Sequence, residues 1–262
     1  MWNPFKSKPL LKEDDELFQI ETFRWLLTHF GGEHFYKKTQ LILPIEDFFP
    51  TKINSPQQAV QETFQQVKNY AGLEKWPCIL QEQEEDPNLV VAETLVVQNT
   101  EHNPHGTFSI NENNEAIITY NPKLASSPTQ MVATFAHELA HFLTSTAPEP
   151  PPGGWDNWEF ATDITATFLG FGIFQANSVF NFQQYSSVGA IGWQTTGGGY
   201  LSESEHSFAL AIFLRLKGIS ADIAYPHCDG NIKAFLKKAL KELEEKPYID
   251  ELRKVEYIEQ NS

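Results

Sequence analysis

Ser127-Pro128-Thr129-Gln130-Met131-Val132-Ala133-Thr134-Phe135-Ala136-His137-Glu138-Leu139-Ala140-His141 is the stretch on which the reading of this chain turns. Ser127 is a typical N-cap, Pro128 falls at the first helical position, and Gln130 stands where a capping box returns its hydrogen bond, so the spacing predicts a helix starting here. Met131, Val132, Phe135, Ala136, Leu139 and Leu143 then recur at helical intervals and give it a buried face. His137 and His141 are four positions apart, hence on one side of the helix and one turn from each other. Two imidazoles so placed can reach one metal ion, and Glu138 beside them brings a carboxylate within reach of a water on it. The plainer alternative is two partly exposed histidines on an amphipathic helix. A third ligand separates the two.

The chain beyond the pentad offers one. Pro148 to Gly154 is rich in Pro and Gly and reads as a loop between two helices, not as a domain boundary. The next helix is expected to be capped by Gly154 or Asp156 and to run to about Leu169. It carries Glu159 and Asp163, again at i and i+4 on one face. A catalytic metal site wants three protein ligands and one open position, and Glu159 supplies the third. Metal-bound imidazoles donate their second N–H to a carboxylate or carbonyl, a role that Asp163 fits. Ala166 and Gly170 continue this face with small side chains, which lets two helices approach closely. Trp155 and Trp158 flank Glu159 and are expected to wall the pocket.

Upstream, Thr107–Ile110 and Ala116–Tyr120 flank the turn-rich Asn111-Glu112-Asn113-Asn114-Glu115 and predict a hairpin delivered just before the pentad helix. Further strands are expected at Cys78–Gln81, at Leu89–Val97 and, ended by Pro44, at Gln40–Leu43. The acidic run Glu82–Asp86 reads as a solvated loop. Helices are expected from Glu13 to a stop at Gly31-Gly32, with Ile20, Phe23, Leu27 and Phe30 as its stripe, and from Ser55, with Val60, Phe64, Val67 and Ala71 facing the core. Residues 177–200 show little periodicity and end in Gly197-Gly198-Gly199-Tyr200, which lacks the Lys-Ser/Thr of a phosphate loop. Ser202-x-x-Glu205 opens a helix that is apolar nearly all round to Leu216 and stops at Gly218; a last amphipathic helix spans about Ile232–Glu245. The expectation is an α+β fold: a flexible tail over 1–12, one domain over 13–250 with its metal core at about 107–175, and a charged tail over 251–262.

The composition bounds the function. Among 262 residues, 41% are hydrophobic, with 20 Phe and 6 Trp, enough for a sizeable core. The net charge of −15 repels phosphate backbones and anionic lipid, so no nucleic-acid or membrane partner is expected. Met1-Trp2-Asn3-Pro4-Phe5-Lys6 opens without an apolar signal core, and Cys78 and Cys228 stand far apart, so the expectation is a reduced, cytoplasmic protein. Other metal-capable groups are weaker. His102 and His105 lie in a Pro-containing loop without supporting ligands, and His227-Cys228-Asp229 are neighbours that rarely converge on one ion.

His137-Glu138-x-x-His141 followed by Glu159-x-x-x-Asp163, with a hairpin before the first helix, resembles the zincin metallopeptidases, and within them the gluzincins to which thermolysin belongs. The resemblance covers residues 107–175. It implies a zincin-like fold, a zinc ion held by His137, His141 and Glu159, Glu138 as general base, and a peptide or protein as substrate. The family's later Tyr or His, which stabilises the oxyanion, has no clear counterpart. Tyr200 and His206 are candidates, against the alternative that both are packed into the wall. From another functional class, a catalytically silent zincin-fold protein that binds metal in a regulatory role fits the same residues. The sequence says nothing of oligomeric state.

Overall fold

The computed structural model describes residues 8–49, 55–83, 106–112, 115–186 and 200–258. The chain begins with α1 (Glu13–Leu26), whose first turn carries four acidic side chains at the positive end of the helix. The expected stop at Gly31-Gly32 takes a different form. After Leu26 the helix widens into a π turn, Leu27–Gly31, and Gly32, at φ 62°, redirects the chain into α2 (Gly32–Lys37). Residues 40–43 join no strand of the sheet; instead Ile42 N–H donates to the Gly170 carbonyl at 3.0 Å. Then comes α3 (Pro56–Tyr70), capped as expected by Ser55, whose hydroxyl accepts from Gln58 N–H.

Three strands follow: β1 (Cys78–Glu82), β2 (Gly106–Ile110) and β3 (Ala116–Tyr120). Their order is β1-β3-β2, with β1 parallel and β2 antiparallel to β3. The expected hairpin is thus β2–β3, and Glu82, placed in a loop by its acidic neighbours, ends β1. The expected strand Leu89–Val97, Glu84–Asp86, His102, His105 and Gly197–Gly199 lie outside the described residues. Alternation puts Gly106, Phe108, Ala116, Ile118 and Tyr120 on one face of the sheet, and the three β3 residues among them are buried.

The pentad lies in α4 (Pro128–Thr144), which packs along β2 and against α3. One detail differs from expectation: Ser127 makes no side-chain cap, and its carbonyl, accepting from Met131 N–H at 2.9 Å, starts the helix instead. After the Pro/Gly loop a short 3-10 turn, Trp155–Asn157, leads into α5 (Trp158–Ala166). The first helix runs to about Leu169 as expected, and Gly170 breaks it. A kink at Gly170 leads directly into a second helix, α6 (Gly172–Ser186), so the aperiodic stretch expected from residue 177 is helical as far as 186. Gly170 makes this possible. It sits at φ 104°, and a Cβ there would stand 2.0 Å from the Gln40 carbonyl oxygen. Only glycine allows both the backbone conformation and the close approach.

The remaining elements are α7 (Glu203–Lys217), α8 (Ala221–Ala224), α9 (Gly230–Glu244) and α10 (Tyr248–Leu252). The capping box Ser202/Glu205 is complete, and Gly218 closes α7 in the left-handed conformation at φ 64°. Leu11 and Leu252, from the ends read as tails, are buried in the core, and Ile258 N–H reaches the Thr28 carbonyl. Apolar residues at these positions earn burial that the surrounding charges hide in sequence. The described residues are mostly helical with one small sheet, an α+β arrangement, and none of their helices is long and apolar enough to cross a membrane.

Two apolar clusters hold these pieces together. One gathers Phe23, Phe35, Phe208 and Phe213 with α9 and α10; the other gathers Phe64, Ile118, Phe135 and Leu139 between α3, α4 and the sheet. The α5–α6 run belongs to both, giving Ile164, Phe168 and Ile173 to the first and Ala166, Leu169, Phe171 and Phe174 to the second. The helix that carries Glu159 and Asp163 is therefore held from two sides. Positions fixed by packing suit ligand groups that must not drift.

Candidate metal centre

α4 and α5 pack against each other and bring their polar side chains to one place. His137 Nε2 lies 3.4 Å from Glu159 Oε2, His141 Nε2 lies 3.3 Å from the same oxygen, and the two Nε2 atoms are 3.1 Å apart. Among the described residues these three form the one group of His, Cys, Asp or Glu side chains arranged to hold a metal ion. His137 and His141 are buried, whereas the Glu159 side chain is 26% exposed, so the centre meets solvent on the α5 side.

The protons show what such a cluster needs. His137 Nδ1 faces Asp163 Oδ1 at 2.9 Å, and a carboxylate can only accept, so Nδ1 carries a proton and Nε2 is the nitrogen turned towards Glu159, where a metal ion would replace any proton on it. Asp163 is anchored in turn: Oδ2 accepts from Leu201 N–H at 3.0 Å and lies 3.5 Å from His206 Nε2. Glu159 Oε2 is buried yet accepts no hydrogen bond. A carboxylate oxygen facing two imidazole nitrogens could hold a cation: a buried acceptor left unpaired is costly, and a proton or a metal ion would satisfy it. The donor set, two imidazoles and one carboxylate, fits zinc or a similar divalent ion.

The charges respond accordingly. Burial by itself lowers the His137 pKa, but the carboxylates of Asp163 and Glu159, 2.9 and 3.4 Å from its two ring nitrogens, outweigh this and hold it well above the ordinary 6.5. Burial would raise Glu159, yet the two imidazoles bring it far below 4.5. Glu138, almost fully buried, goes the other way: loss of water raises its pKa against the pull of His137 and His141. Its carboxylate lies beside the start of β2, where a Cβ on Gly106 would stand 3.2 Å from Glu138 Oε1 and 2.8 Å from the Thr119 carbonyl oxygen. The missing side chain at Gly106 makes room for that carboxylate.

Aromatic rings enclose His141. The Trp158 ring stands edge-on to it at 4.9 Å, and Phe108 lies parallel at 6.3 Å. Trp155, 48% exposed, packs against Trp158 at 5.4 Å, so these two residues form a wall beside the centre as expected. Tyr200 sits against the His137 ring at 5.6 Å. His206 lies deep in the interior. It is buried beside Asp163, its Nε2 3.5 Å from Asp163 Oδ2 and its Nδ1 sealed from solvent, because α7 turns this position inward. The triplet His227-Cys228-Asp229 forms a turn pinned by Asn177, which bonds the His227 carbonyl and Asp229 N–H, and gathers no metal ligands.

Sequence reasoning does not single out Thr162, whose Oγ1 lies 3.2 Å from His141 Nδ1. A signal exists: Glu159, Thr162 and Asp163 stand at i, i+3 and i+4, all on the face that meets α4. Elsewhere, a cavity of about 730 Å³ opens between the first turns of α3 and α4, lined by Ile45, Phe49, Ala59, Met131 and Phe174, and it includes none of the centre's residues.

Comparison with protein-family models, with curated proteins and with solved structures finds no match. Geometry and chemistry alone therefore carry the functional reading.

Proposed function

We propose that this chain is a zinc-dependent peptidase of the zincin class, with a gluzincin ligand set of His137, His141 and Glu159 and with Glu138 as general base. The observation that carries the reading is the convergence of His137 Nε2, His141 Nε2 and the buried Glu159 Oε2, with Glu138 next to His137 on the same helix. Three protein ligands leave room for water, as catalytic zinc sites do. A zinc ion held there supplies polarisation of a carbonyl and brings the pKa of water towards ~7.

The chain's own residues do the rest. Asp163 keeps His137 in the tautomer that exposes Nε2. Glu138, its pKa raised by burial, is a stronger base than an exposed carboxylate; it takes the proton of the attacking water and returns it to the departing amine. Tyr200, against His137 at the edge of the centre, is the candidate donor to the oxyanion. The substrate is a peptide or protein and the reaction a hydrolysis.

The test is incubation of the zinc-loaded protein with a broad peptide library. Cleavage that a chelator abolishes, that zinc restores and that Glu138→Gln lacks is the expected result. Stoichiometric zinc without cleavage of any peptide would favour the metal-binding regulatory alternative.

A further inference from the structure

The two imidazoles are oriented by different chemistry. Asp163, a carboxylate, takes the distal nitrogen of His137; Thr162, a neutral hydroxyl, takes that of His141. Adjacent residues on a helix point about 100° apart. α5 can therefore serve, from consecutive positions, two histidines that stand one turn apart on α4.

The proton on Thr162 decides what its oxygen can do. A threonine hydroxyl has one proton to give, and Thr162 directs it at the Trp158 carbonyl, 2.8 Å away. What remains towards His141 Nδ1 are lone pairs, so the imidazole must be the donor. With Nδ1 protonated, Nε2 carries the lone pair that faces Glu159 Oε2 and His137 Nε2. The opposite tautomer would set an Nδ1 lone pair against an oxygen lone pair at 3.2 Å.

We propose that Thr162 is a positioning residue for the metal, holding His141 in its metal-binding tautomer; this rests on the reading of His141 as a ligand. The neighbouring rings cannot perform that task. Trp158 and Phe108 restrict the imidazole plane, but neither offers its nitrogen a hydrogen-bond acceptor. Trp158 is itself fixed, its indole N–H donating to Thr144 Oγ1 at 2.8 Å. A hydroxyl also suits the local charge. A carboxylate at this position would add a further buried negative charge to those of Glu138, Glu159 and Asp163.

Zinc affinity, measured by competition with a chromophoric chelator for the unmodified chain, Thr162→Val and Thr162→Ser, tests this. Valine keeps the shape and removes the acceptor, and serine restores it. Thr162→Val is expected to bind zinc about 10- to 100-fold more weakly, and Thr162→Ser to recover most of that loss. Nitrogen NMR of the metal-free, unmodified protein gives a second reading that needs no variant: His141 should be protonated at Nδ1. Equal affinity in Thr162→Val, or an Nε2-protonated His141, would overturn the role of Thr162 while leaving the ligand reading intact. A chain that binds zinc equally well with and without His141 would overturn both.

Discussion

At the residue scale the centre reduces to where protons are allowed to sit. Asp163 accepts from His137, and Glu159 turns a bare oxygen towards two imidazole nitrogens. Glu138 stands apart from the ligands and carries the predicted chemistry. Glu138→Gln keeps the side chain's size but cannot accept a proton, so turnover on any cleaved peptide should fall by about 10²- to 10⁴-fold, with zinc content by elemental analysis unchanged. Unchanged turnover would remove Glu138 from the mechanism. The residues legible in the sequence are those whose spacing maps directly onto one helix face: His137 with His141, and Glu159 with Asp163. Thr162 is not legible, since threonine inside a helix is ordinary and only its partner across the interface gives it meaning. His206 is legible as a polar residue on an apolar helix, but spacing carries no information on depth, and the structure buries it beside Asp163.

At the scale of elements, two glycines let backbones come close enough to build the centre. Gly170, at φ 104° against the Gln40 carbonyl, permits the kink through which α5 passes into α6. Gly170→Ala combines strain with a clash and should lower stability by at least about 2 kcal/mol in urea denaturation. Gly106, in ordinary extended backbone, is a matter of space: its Cβ would meet Thr134 Cγ2 at 2.9 Å and the Glu138 carboxylate at 3.2 Å. Gly106→Ala should therefore push Glu138 aside and reduce turnover while zinc affinity stays within about threefold, because the ligands are on other elements. A matching loss of zinc would show that β2 supports the ligands as well. Capping residues and apolar stripes made α3, α4, α7 and α9 readable. The continuation as α6 was not, because the apolar side chains after Gly170 are spread round the helix and give no single helical stripe. The segment at residues 40–43 has strand composition, but the place where a sheet neighbour would stand is taken by the Gly170 turn.

At the scale of the whole molecule, the α5–α6 run is shared by two apolar clusters, and the centre lies where that run meets α4. Metal and protons compete there, which gives a pH signature for the metal-free protein. His137 has a folded pKa well above 6.5, so its contribution to stability is complete below 6.5 and is lost as pH rises through the folded value. Glu138, raised above 4.5 by burial, acts in the same direction. Glu159, held below 4.5, contributes above that pH and loses its contribution only in strong acid. Metal-free protein should therefore become less stable as pH rises from 5 towards 9, followed by urea midpoints, and His137→Gln should show a smaller decline. Zinc at a hundredfold excess over its dissociation constant should add about 2.7 kcal/mol at neutral pH. The central claim is that His137, His141 and Glu159 hold one metal ion, and zinc stoichiometry of the purified chain beside His141→Ala tests it most directly. The account predicts one zinc per unmodified chain and none retained by the variant. A chain that takes up no stoichiometric metal, or one whose zinc survives the loss of His141, would contradict it.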